Sequence, residues 1–184
     1  MPKWSPIITK PLIMKMNMFL YAVMVLSVIC CKQARNDSTT TRENLTENRM
    51  AVFVDSCWHQ KDMKKLSSIT TQNFTRNLNG IDVVSSEPEM QAHMNVFFRA
   101  FPDLTLTMYN TYIKDTVVFT HWEVDGTNTG IFAEAPATGK KIKISGLSLI
   151  YFNKEGKIYR EDVSYNELDL LQQLGYTLVS PVLE

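Results

Sequence analysis

Cysteine is scarce in this chain: three residues in 184, two of them adjacent at Cys30 and Cys31. That leaves Cys57 alone in the rest of the chain, which excludes an internal disulfide framework there, and no Cys/His cluster has zinc spacing. Glycine and proline are sparse too, at seven each, so collagen-like and low-complexity classes are excluded. Net charge is missing as well, with 19 basic residues against 19 acidic, which argues against a nucleic-acid partner. The balance is uneven along the chain. Residues 1–30 carry three lysines and no acid, and the remaining 154 carry sixteen basic against nineteen acidic residues, net −3. At 45% hydrophobic content the chain has enough apolar material for one ordinary core.

No apolar run reaches the roughly 20 residues that a membrane-spanning helix needs. The longest, residues 18–31 (MFLYAVMVLSVICC), follows Lys15 and gives way at once to polar chain. A basic start, a short apolar stretch and a small-residue end are the layout of a secretory signal. The Cys30-Cys31 ending resembles a bacterial lipobox, and Cys31, with a small residue before it, fits the lipidated position. The expectation is a signal peptide over 1–31, a flexible tether over 32–47 and a folded domain over 48–178. Its place would be the bacterial cell envelope, periplasmic or at the cell surface, with the membrane touched only through the lipid.

Within the domain, Met50, Phe53, Val54, Cys57 and Trp58 keep the spacing of one helical face, where Cys57 reads as an inert packed thiol. Residues 74–80 read as an extended segment ending in an Asn-Gly turn. Ser86-Glu-Pro-Glu89 opens a capped helix whose stripe is Met90, Met94, Phe97, Phe98 and Phe101. Strands are predicted over 104–113, 117–126, 141–152 and 157–165, and Gly175 closes a last helix over 166–174. Helices first and antiparallel strands after predict an α+β fold, a curved antiparallel sheet packed against the N-terminal helices. Such a cone can enclose a ligand cavity.

Several local strings carry a resemblance. Trp58 with Asp62, Phe101-Pro-Asp-Leu104, Gly126-Thr-Asn-Thr-Gly130, Ala137-Thr-Gly-Lys140, Gly156-Lys-Ile158 and Leu170-Leu-Gln-Gln-Leu-Gly175 occur in this order over roughly residues 50–176. Together they resemble the SnoaL-like polyketide and ester cyclases of the NTF2-like superfamily. The resemblance implies an NTF2-like cone, an intramolecular aldol closure driven by an acid–base pair without cofactor or metal, and pairing through the outer sheet face. It also implies an Asp just before the last helix and a His near the end of the third long strand. Here those positions hold Asn166 and Phe152, and Asn128 replaces another imidazole. Asn and Phe cannot carry the proton.

Two candidate bases remain. The resemblance directs Ile158, Arg160, Asp162, Ser164 and Asn166 into the cone, which makes Asp162 the base. The apolar pattern of Tyr159, Val163 and Tyr165 instead buries Glu161. Trp58, Phe74, Trp122, Tyr151 and Phe152, with Asn166, are candidate pocket walls for a small, mostly apolar ligand. His93, His121 and Glu123 read as solvated surface groups. The readings are a ligand-binding lipoprotein, a cofactor-independent cyclase or isomerase, and a homodimeric interaction module. Metabolic labelling with a fatty acid is expected to mark the full-length chain and to be lost in Cys31→Ala; label persisting there would move the site to Cys30.

Overall fold

The computed structural model describes residues 40–180. The predicted signal peptide, Cys31 and the tether up to residue 39 lie outside the described residues. Residues 40–51 are α-helical and run without a break into the π-helical segment Val52–His59; together they are α1. The tether was expected to reach residue 47, yet the stretch from 40 is already helix. Its polar side chains are held by a turn rather than by an apolar stripe, which is why composition missed it. Arg42 pairs with Asp115 at 3.3 Å, Glu43 accepts from the Asp115 N–H at 3.2 Å, and Thr46 donates to the Asp115 carbonyl at 3.1 Å.

Helix α2 (Met63–Ile69) is capped by Asp62, which accepts from the N–H groups of Lys64 and Lys65. Strands β1 (Thr70–Leu78) and β2 (Ile81–Val84) form a hairpin whose two turn residues, Asn79 and Gly80, both have positive φ (52° and 92°). Such a turn matches the twist of the strands it joins, and Asn-Gly supplies it cheaply. Helix α3 (Glu87–Ala100) starts at the Ser86 cap with proline in its first turn. Strands β3 (Thr105–Lys114), β4 (Val117–Thr127), β5 (Lys141–Phe152) and β6 (Ile158–Tyr165) follow, then α4 (Glu167–Leu174), which Gly175 ends in the left-handed conformation. Among the described residues, those from Arg42 onward make up one compact unit.

The α+β expectation holds: a curved six-stranded sheet is packed against helices. Its order is β2-β1-β6-β5-β4-β3. One pairing departs from the antiparallel expectation, since β1 lies parallel to β6. A parallel partner lies far along the chain, so no local turn announces it. The inner face carries Phe74 and Val118 with Ile144, Ile150 and Val163, covered by Phe53, Cys57, Leu66, Met94 and Phe98 from the helices. Cys57 is fully buried, and burial foremost, with Asp62 nearby, pushes its thiol up to about 12. That is the inert thiol expected.

Asn128 stands where the family resemblance implies an imidazole, and it is 1% exposed. Its amide nitrogen donates to the carbonyls of Gly130 (2.9 Å) and Ala100 (3.3 Å), while its oxygen accepts from the Thr138 N–H (2.8 Å) and hydroxyl (2.9 Å). One side chain thus fastens the loop between β4 and β5 to the end of α3. Asn128→Ala should cost about 2–4 kcal/mol of stability by leaving buried partners unpaired, read as a lower denaturant midpoint.

Candidate functional site

The site follows from strand register. On β1, Phe74 and Arg76 fall on the same inward face, and the parallel ladder sets Arg76 directly beside Glu161 of β6. Both are buried, with side chains 8% and 6% exposed, and Arg76 Nη1 donates to Glu161 Oε2. The other carboxylate oxygen accepts from Ser148 Oγ of β5 at 3.2 Å. Ser148 Oγ in turn accepts from Trp122 Nε1 of β4 at 2.9 Å. Donors and acceptors alternate along this chain, so Glu161 receives a hydrogen bond at each oxygen. Among the described residues Arg76 Nε has no hydrogen-bond partner.

A cavity of about 50 Å³ opens against this network. Its wall is otherwise apolar: Phe53 and Trp58 from α1, Leu106 and Met108 from β3, Val124 from β4 and Ile150 from β5. Trp58 is held edge-on by Phe98 (centroids 5.7 Å apart) and Phe53 (6.4 Å). Trp122 crosses β5 where Gly146 lies; a Cβ there would collide with the indole. His93 of α3 is partly buried and packs on Phe97 at 5.3 Å. Burial foremost, with the Arg76 charge second, pulls its imidazole down to about 4. Its position off the Met/Phe stripe predicted a surface site; instead it is partly buried, within reach of the Arg76 charge from β1.

The two readings of β6 are resolved by a bulge. Phe152 pairs with Ile158 but Tyr151 pairs with Arg160, so Tyr159 is an extra residue. Ile158 therefore points inward together with Glu161 and Val163, while Tyr159 is exposed. A shift of one residue exchanges the faces of a strand. Asp162, one of the two candidate bases, is thereby turned to the outer face, where it pairs with Arg160 at 2.7 Å.

The predicted wall residues part company as well. Trp58 and Trp122 line the cavity, whereas Phe74 and Phe152 are buried in the core away from its lining. Tyr151 corrects to the outer face, 6.1 Å from the Tyr159 ring, since it alternates with the inward Ile150 and Phe152. Asn166 is exposed and caps α4, accepting from the Asp169 N–H at 3.1 Å, so the cap fixes its side chain away from the cone. Glu123 pairs with Lys143 at 2.7 Å on the outer face. Arg76 and Ser148 were missed, although each falls on an apolar face of its strand by simple alternation. Among the described residues no group of three or more His, Cys, Asp or Glu side chains is placed to share a metal ion.

With this geometry in view, the profile of the SnoaL-like polyketide cyclases matches residues 48–174. The chain belongs to that family. Its fold is similar to a Jannaschia sp. CCS1 protein assigned as a SnoaL-like polyketide cyclase, with a TM-score of 0.67 and 16% identity over 74% of this chain and 96% of that one. AclR from Streptomyces galilaeus has a TM-score of 0.62 and 22% identity, covering 78% and 86%. A phenazine biosynthesis-related protein from Pseudomonas aeruginosa has a TM-score of 0.62 and 14% identity, covering 81% and 96%. No curated protein matches the chain.

A buried ion pair is costly to break from one side, because the survivor keeps its charge without a partner. Arg76→Met should therefore lose about 3–5 kcal/mol, while Arg76→Met/Glu161→Met should recover most of that loss. Denaturant titration of the single and double variants reads the difference.

Proposed function

We infer that this SnoaL-like domain binds a small, mostly apolar molecule in its cone, through a site other than the acid–base pair that the family resemblance implies. The carrying observation is the cavity itself, apolar except for Arg76, Ser148 and Glu161. Its volume of about 50 Å³ leaves room for roughly three to five water-sized groups. The cone thus fits the head of a ligand, with Trp58 and Trp122 as the walls beside it.

A second reading rests on the same residues. Glu161 is a carboxylate facing the cavity beside a cation with donors to spare. In a cofactor-independent isomerase or cyclase it would take a proton alpha to a carbonyl, and the electron pair would pass to the carbonyl oxygen under the Arg76 guanidinium. We also propose pairing with a second copy of the chain. Tyr109, Tyr112, Phe119, Leu147 and Tyr159 are all exposed; strand register groups the first four on the outer sheet face, and Tyr159 joins them through its ring contact with Tyr151. Contiguous apolar surface of this kind is a feature of association sites. Lipid attachment at Cys31, placing the domain at the cell envelope, completes the proposal; among the described residues no helix is long and apolar enough to cross a membrane.

Protein purified from its natural host should carry one extractable small molecule in near-stoichiometric amount by mass spectrometry. A cavity-filling Ile150→Trp variant that remains folded should lose it. Empty wild-type protein would overturn the binding reading. If the extracted molecule is a carbonyl compound, loss of alpha deuterium with wild type and its retention with Glu161→Gln would favour the enzyme.

A further inference from the structure

Three of the polar groups in the cone have their bonds assigned. Trp122 Nε1 donates to Ser148, Ser148 donates to Glu161, and each Glu161 oxygen accepts one bond. Arg76 is different. A guanidinium offers five N–H donors; among the described residues its hydrogen bond runs from Nη1 to Glu161, and the buried Nε has no partner. Arg76 lines the cavity, so the capacity its guanidinium presents there is donor capacity, and a ligand group that uses it must be an acceptor.

The charge of that acceptor is restricted by what surrounds Arg76. Glu161 already neutralises the guanidinium at contact distance. His93, held down to about 4 by burial and the Arg76 charge, is uncharged at neutral pH and adds no second cation, while Tyr165, pushed up to about 12 mainly by burial, stays protonated and adds no anion. A carboxylate entering the cone would leave an uncompensated negative charge against an apolar wall, which is strongly unfavourable. A carbonyl or amide oxygen carries no such cost.

We propose that the Arg76–Glu161 pair is a charge filter: Arg76 binds a neutral oxygen acceptor in the cone, and Glu161 makes the same site reject carboxylates. The inference rests on the reading that the cone binds a ligand, and adds which ligands it takes. Glu161 is then a specificity-determining residue whether or not it also moves a proton.

Acetamide and acetate, each with four heavy atoms, are matched probes of a site this small. The Trp122 indole N–H signal, followed by NMR at pH 7, reports on binding next to Ser148. Wild type should bind acetamide about tenfold more tightly than acetate. Glu161→Gln, which leaves Arg76 its charge, should reverse the preference, and Arg76→Met/Glu161→Met should bind neither. If acetate moves the wild-type signal as readily as acetamide, the filter is overturned while the binding reading stands. If neither probe moves it in wild type or in Glu161→Gln, both fail. The wild-type comparison decides the matter even where Glu161→Gln does not fold.

Discussion

Everything at the centre of this molecule depends on the parallel pairing of β1 with β6. That ladder closes the sheet order, carries the β1–β2 hairpin at the edge, and sets Arg76 beside Glu161. Without it, each of these residues would be an isolated charge on an apolar strand face, which no small core tolerates. With it, they neutralise one another, and Ser148 and Trp122 extend the network across β5 and β4. Four consecutive strands of the sheet are thus tied by one line of side chains running through the cone.

The surrounding structure serves to hold that line in place. Gly146 gives the Trp122 ring room to lie over β5. The bulge at Tyr159 turns Glu161 inward and sends Arg160 and Asp162 outward, where they pair with each other. Asn128 fastens the long loop before β5 to the end of α3, and α1 is clamped to the Asp115 turn by Arg42, Glu43 and Thr46. Asn128, where the family resemblance implies an imidazole, is a structural fastener, and Asn166, where it implies an aspartate, is a helix cap. Membership of the SnoaL-like family therefore describes the scaffold. The polar chemistry inside this particular cone belongs to Arg76 and Glu161.

A buried ion pair adds little net stability compared with well-packed apolar side chains. Its presence against a cavity, with guanidinium donors left over, is better understood as selectivity for what enters. The small volume points the same way. On the proposed reading a cavity this small takes only a head group, and such a head would be sorted by hydrogen bonding and charge rather than by apolar area.

Much of the fold was legible because it rests on local rules. The Trp58 helix face, the Ser86 cap, the Asn79-Gly80 turn and the Gly175 stop are short-range features, and alternating apolar residues marked β3 to β6. The helical start at residue 40 was not legible, since its contacts are hydrogen bonds to a turn about seventy residues away. Nor was the face of β6, because one extra residue in a strand changes every side chain after it without changing the apolar count. The sequence by itself determined an α+β cone with an aromatic interior and one inert cysteine. Which carboxylate faces that interior, and that Arg76 neutralises it, only the tertiary structure decided, because a bulge and a parallel strand pairing are set by non-local packing.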